Sequence, residues 1–196
     1  METKPEIREE GDNYHVIIPK QLTTLDHLNV FIENIIKSKT AAAQTSDFEG
    51  VVEALKKRWP EPEASLKTKW EEMRVLVIDD QSTIRGLMKG ALKDIGFVSA
   101  NIDDANDGKP AIQKLRDVRY DLIISDWNMP EITGLDLLKI VKAVPGLSKS
   151  LFVMVTSQGH QKSVMEAINH GINGYIIKPF TTAHVEKTLQ KIVVAT

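Results

Sequence analysis

The spacing of apolar residues changes character near residue 74. Before it, the pattern is a short strand followed by helices. Residues 1–12 are polar and are expected to be loose, and Tyr14-His-Val-Ile-Ile18 reads as a strand stopped by Pro19. Leu25, Leu28, Ile32, Ile35 and Ile36 recur at helical spacing behind Thr23 or Thr24 as the cap, with Asp26 in the first turn. Ala41–Ser46 interrupts the periodicity. Phe48, Val51, Val52, Leu55 and Trp59 then mark a second helix that starts near Ser46 or Asp47 and is ended by Pro60 and Pro62. Residues 63–72 could form a third helix through Leu66 and Trp70. About 70 residues is near the lower limit for an independent core. This segment is therefore expected to lean on the rest of the chain or on a second copy.

From Arg74 onward, strands alternate with helices. Val75–Ile78 is an unbroken apolar run of the kind buried on both faces of a parallel sheet, and it ends on Asp79-Asp80. Ser82 is expected to cap a helix through Leu92 that stops at Gly96, and residues 97–102 to form the second strand. Asp107 caps a helix from Gly108, with Pro110 tolerable in its first turn. Asp121–Ser125 is the central strand, ending on Asp126. A loop containing Gly134 leads into a helix over Leu135–Val141, closed by Pro145-Gly146. Leu151–Val155 ends on Thr156, His160–His170 is helical up to Gly171, and Gly174–Ile177 ends on Lys178-Pro179. Thr181 or Thr182 caps the last helix, to about Val193. Five strands, each followed by a helix, define an α/β doubly wound parallel sheet.

Composition narrows the class. The chain has 196 residues, with 42% hydrophobic and 27% charged side chains, which is the balance of a water-soluble globular protein. It has no cysteine, which rules out disulfides and thiolate metal sites and fits a reducing compartment. The first ten residues lack the apolar core of a signal peptide. No apolar run approaches the roughly 20 residues needed to span a bilayer. A cytoplasmic location is the expectation. The net charge of −2 divides into −4 for residues 1–73 (14 acidic, 10 basic) and +2 for residues 74–196 (13 acidic, 15 basic). Neither part is a basic block that would hold nucleic acid by charge alone. His15, His27, His160, His170 and His184 show no metal-ligand spacing, and there is no Gly-rich nucleotide loop.

Four strands finish on polar groups: Asp79-Asp80, Asp126, Thr156 and Lys178. In a parallel sheet these ends share one edge and can converge on one pocket. Three carboxylates together repel one another unless a cation neutralises them. Oxygen-only ligands without Cys or His point to Mg²⁺ or a similar hard cation. With a lysine for charge and a hydroxyl as donor, the set suits phosphoryl chemistry.

Val-Ile-Asp79-Asp80-Gln-Ser-Thr, Ser-Asp126-Trp-Asn128-Met-Pro, Val-Thr156-Ser and Gly-Tyr175-Ile-Ile-Lys178-Pro179-Phe together resemble the receiver domain of two-component response regulators. Residues 74–194, about three-fifths of the chain, carry the likeness, and within the family they are most similar to single-domain chemotaxis regulators. The resemblance implies a flavodoxin-like sheet of order 2-1-3-4-5, the chemotaxis receiver being a known example of that order. It implies that Asp126 accepts a phosphoryl group from a histidine kinase. Asp80, Asp126 and the backbone carbonyl of Asn128 would bind Mg²⁺, with Asp79 acting through a metal-bound water. Thr156 and Lys178 would hold the phosphoryl oxygens, and Tyr175 would be the aromatic switch. The Lys178-Pro179 bond would be cis. Asn128 and Gln158 occupy positions that tune loss of the phosphoryl group, and Gln158 replaces the acid found there in the chemotaxis protein.

On this resemblance the chain is a phosphorylation-dependent switch and turns over no external substrate. It would label itself on Asp126 from a phosphohistidine or a small phosphodonor, and lose the group by autodephosphorylation. Its downstream protein partner would dock on the face made by the last two helices and the fifth strand. A stand-alone phosphorelay intermediate is the alternative. Residues 1–73 resemble no family, and two roles stand open for them: a docking or self-associating module, or a small effector controlled by the receiver. They hold no constellation of catalytic groups, which favours the first. His27 reads as a surface histidine and not as a phosphodonor.

Overall fold

Five short strands pair in parallel: β3 (Val75–Ile78), β4 (Ile102–Ala105), β5 (Leu122–Asp126), β6 (Leu151–Thr156) and β7 (Gly174–Ile177). Their order is β4-β3-β5-β6-β7, which is 2-1-3-4-5 within the sheet. The computed structural model describes residues 6–10, 13–17, 45–60, 69–157 and 161–194. The expected helix over residues 25–36, together with His27, Leu66, Gln158 and His160, lies outside the described residues. No helix among the described residues is long and apolar enough to cross a membrane.

Alternation along each strand divides the core into two layers. Leu76, Ile78, Ile123, Phe152, Met154 and Tyr175 face α3 (Gly108–Asp117) and α4 (Gly134–Ala143). Val75, Val77, Ile124, Val153, Val155 and Ile176 face α2 (Ser82–Asp94) and the last helix, Thr182–Val194. Each of the fully buried Val, Leu, Ile, Met and Phe side chains among them contributes roughly 1.5–3 kcal/mol by leaving water. The short helix α5 (Pro145–Ser148) and α6 (Gln161–Asn169) flank β6, and the last helix is α7. Gly96 and Gly171, just past the ends of α2 and α6, sit at φ +110° and +79°, where a side chain would be strained.

Four expectations are corrected. The second strand is Ile102–Ala105 and not 97–102, because Ser99–Asn101 form a 3₁₀ turn and Phe97 stacks on Trp70 at 5.5 Å between ring centroids. Its two acids hid it from pattern reading. Asp103 accepts from the Tyr120 hydroxyl at 2.8 Å, and Asp104 pairs with Arg85 and Lys89 at 2.9 and 2.7 Å. Ser82 does not cap α2: Gln81 occupies the cap position without a side-chain bond, and its amide donates to Asp79 Oδ1 at 2.9 Å. Trp70–Glu72 is a single 3₁₀ turn and not the end of a longer helix, since its neighbours Lys69 and Met73 are extended. Near the N-terminus, residues 6–10 are not loose. They form β1 (Glu6–Glu10), antiparallel to β2 (Asn13–Ile17).

The helix α1 (Thr45–Arg58) packs across α3 and α4. Val52 and Leu55 are buried in the same core as Leu115, Val144 and Leu147. Trp59 secures its end, with Nε1 donating to the Leu115 carbonyl at 2.9 Å while its own carbonyl accepts from the Gly146 amide at 2.9 Å. The Arg58 and Arg119 guanidinium carbons lie 4.6 and 5.3 Å from the Trp59 ring centroid, and Arg119 Nε donates to the Gly146 carbonyl at 2.6 Å. The apolar face of α1 is thus buried within its own chain.

At the opposite end of the strands from their carboxylates, Lys142 of α4 turns inward. Its Nζ donates to the carbonyls of Ser148 and Ser150 at 3.0 and 2.9 Å and to Asn173 Oδ1 at 3.3 Å. Burial holds this ammonium down to about 8. Asn173 Oδ1 also accepts from the Phe152 amide at 2.8 Å, so the turn before β7 is tied to β6.

Candidate functional site

Parallel register delivers the polar strand ends to one edge. Asp126 lies opposite Val155 and Thr156 opposite Ile177, so Asp79, Asp126, Thr156 and Lys178 arrive together. Lys178 sits between two carboxylates, with Nζ 2.6 Å from Asp79 Oδ2 and 2.8 Å from Asp126 Oδ1. The remaining oxygens are held by backbone amides: Gln81 donates to Asp79 Oδ1 at 2.9 Å, and Asn128 to Asp126 Oδ2 at 3.1 Å. Both carboxylates are buried, at 2% and 6% exposure. The Lys178-Pro179 bond is cis, and the Lys178 amide donates to the Thr156 carbonyl at 2.8 Å.

Burial raises the Asp126 carboxyl above the ordinary aspartate range; Lys178 pulls it back, and the nearby Asp79 pushes it up again. Burial also works against the Lys178 ammonium, but its bonds to Asp126 and Asp79 outweigh that, and the ammonium is held above its ordinary value. The lysine is charged and the buried aspartate is only partly compensated. Tyr175 is buried and side-chain hydrogen-bonded to Thr156; burial pushes its phenol up to about 12. The expected switch residue therefore stands inward already.

Asp80 does not share the burial of Asp79 and Asp126. Its side chain is exposed, while its carbonyl accepts from Arg85 at 3.3 Å and the Asp79 carbonyl accepts from the same Nη1 at 2.8 Å. Among the described residues no three His, Asp or Glu side chains are arranged as a metal-holding group. The donor chemistry nonetheless fits a hard cation. All donors are oxygens, and two buried carboxylates against one ammonium leave a surplus negative charge, with Asp80 at the mouth adding another. Asn128 is exposed beside Asp126. Arg85 escaped the sequence reading; its signal is the pair Arg85 and Lys89, one helical turn apart and both turned back to Asp104.

The loop from Asp126 to α4 is closely fitted. The Trp127 amide donates to Val155 and the Gly134 amide to the Trp127 carbonyl, each at 3.0 Å. A Cβ on Gly134 would overlap the carbonyl of Asp126 and fall 2.8 Å from the Met154 sulfur. Only glycine lets the start of α4 approach the aspartate backbone so closely.

This geometry agrees with comparison to known proteins. Residues 75–190 match the model of the response regulator receiver domain. The chain is 39% identical over 122 residues to chemotaxis protein CheY-3 of Vibrio cholerae serotype O1, which covers 62% of this chain and 92% of that protein. It is 39% identical over 120 residues to chemotaxis protein CheY of Pseudomonas aeruginosa, covering 61% and 95% respectively. A solved structure of the chemotaxis response regulator CheY4 of Vibrio cholerae superposes with a TM-score of 0.57 at 32% identity, over 61% of this chain and 98% of that one. The chain belongs to the response regulator receiver domain family and is a response regulator of the two-component type.

Proposed function

We propose that residues 74–196 form a phosphoreceiver in which Asp126 takes a phosphoryl group from a histidine kinase or a small phosphodonor and returns it to water without processing another substrate. The observation that carries this is the Lys178 ammonium, 2.8 Å from Asp126 and 2.6 Å from Asp79 at the carboxyl end of the sheet. An Asp126 oxygen attacks phosphorus; the bond from phosphorus to the donor nitrogen or oxygen breaks, and the electron pair leaves with the donor. Lys178 then faces phosphoryl oxygens in place of the carboxylate oxygen it holds now. The Thr156 hydroxyl has two claimants, the phosphoryl group and Tyr175, and its choice is the switch.

Asp79, Asp80, Asp126 and the Asn128 carbonyl would hold Mg²⁺, which when bound supplies charge neutralisation at the phosphoryl oxygens. A receiver domain of the sensor histidine kinase PA1611 from Pseudomonas aeruginosa, with the same fold at 21% identity, is described with a magnesium ion coordinated in its active-site cleft. Output runs through protein contact, with a partner on the face of α6, β7 and α7, as the likeness to chemotaxis regulators supports. The test is labelling by acetyl phosphate in Mg²⁺, followed by intact-mass measurement. The native chain should gain one phosphoryl group and Asp126→Asn none; undiminished labelling of the variant would refute the assignment.

A further inference from the structure

Asp107 does more than cap α3. Its buried carboxylate accepts from Lys109 N at 3.2 Å and Ile132 N at 3.0 Å on Oδ1, and from Glu131 N at 3.0 Å on Oδ2. Two of these three donors belong to the loop between Asp126 and α4. The approach is close: a Cβ on the neighbouring Gly108 would lie 2.6 Å from the Ile132 carbonyl oxygen. That loop also carries Asn128, and Asn128 N donates to Asp126 Oδ2. The near end of the loop is fixed to β6 through Trp127, and its far end by the Thr133 cap, which accepts from Asp136 N at 3.2 Å. Asp107 holds the span between them, and a charged acceptor makes the stronger kind of hydrogen bond.

We infer that Asp107 is a positioning residue for the cation site, acting through Glu131 and Ile132 to set the backbone at Asn128. The inference rests on the proposed reading of Asp126 and its cation. Loss of partners behind a metal's immediate ligands typically weakens metal binding about 10–100-fold. The tie to the loop is separable from the cap. Serine at position 107 still caps α3 through Lys109 N, but it is too short to reach residues 131 and 132.

The experiment uses the full chain and three measurements: Mg²⁺ affinity by calorimetry, amide exchange of residues 128–133 without metal, and acetyl phosphate labelling against Mg²⁺ concentration. Asp107→Ser should bind Mg²⁺ at least about tenfold more weakly and exchange faster at Glu131 and Ile132. Its labelling should need more Mg²⁺ yet reach the native rate at saturation, a split that general damage to the fold would not produce. Asp107→Asn, nearly isosteric, keeps one accepting oxygen and should fall between the two. Native Mg²⁺ affinity in both variants, or a saturated labelling rate reduced as much as the affinity, would overturn the inference while leaving the phosphoreceiver reading intact. A native chain that neither binds Mg²⁺ nor labels on Asp126 would overturn both.

Discussion

The Gly146 amide donates to the Trp59 carbonyl at 2.9 Å, and a side chain at 146 would overlap the tryptophan backbone. This contact joins the end of α1 to the turn after α4, so a helix outside the family match shares the core of the unit that carries the match. Trp59→Ala removes the indole, its bond to Leu115 and its stacking under two guanidinium groups. Loss of a large aromatic from such a position costs about 3 kcal/mol. Urea unfolding should show a lower midpoint with the slope unchanged. A chain begun at Arg74 should be weaker still, because the surface under Val52 and Leu55 would face water.

Lys178→Met should damage both stability and chemistry. Removing one partner from a buried charge pair costs about 3–5 kcal/mol, since the other charges are left uncompensated. Because the folded lysine is held above its ordinary 10.5, its stabilisation is fully present below that pH. The stabilisation is lost as pH rises through the higher folded value. The native chain should therefore lose stability above pH 10.5 more steeply than the variant, as thermal midpoints across alkaline pH would show.

His170 gives the opposite sign at acid pH. Burial, assisted by the Lys139 charge, holds its imidazole down to about 4 against an ordinary 6.5. The unfolded chain binds the proton first, so stability falls as pH drops from 6.5 towards 4. The loss attributable to this group is on the order of 3 kcal/mol at most. His170→Gln should flatten that part of the stability profile without altering labelling at neutral pH.

Gly134→Ala tests the fit around Asp126, the proposed phosphoacceptor. The added methyl must displace either the Asp126 backbone or the Met154 side chain, and overpacking of this kind costs about 1–3 kcal/mol. Acetyl phosphate labelling should slow much more than it does in Gly90→Ala, where a Cβ meets nothing within 4 Å. Equal rates in the two variants would show that the close approach is irrelevant to the site.

The strands ending on Asp79, Asp126, Thr156 and Lys178 were legible because each carries a short apolar run with polar residues at its carboxyl end. A parallel sheet then had to collect those ends at one edge. Strand β4 was not legible in place: two of its four residues are acids, and only Tyr120, Arg85 and Lys89, distant in sequence, make them tolerable there. Asp79 and Asp80 were read together as a strand-ending pair, and the structure separates them by exposure: Asp79 is buried and Asp80 is exposed. Asp107 was read as a helix cap because a cap is a local pattern, and its bonds to Glu131 and Ile132 span 24 and 25 residues. The docking of α1 had no sequence signal beyond an apolar face that needed cover.

Lys142 gives the sheet a fixed end. Its ammonium gathers oxygens from the α5–β6 turn and the turn before β7, all of them neutral, so none has a second charge to change partners with. At the other end of the same strands, Lys178, Asp126 and Thr156 hold bonds that a phosphoryl group would redistribute. β6 and β7 are thus tied at their amino ends by neutral partners, while the charged bonds that can be exchanged lie at the carboxyl edge of the sheet.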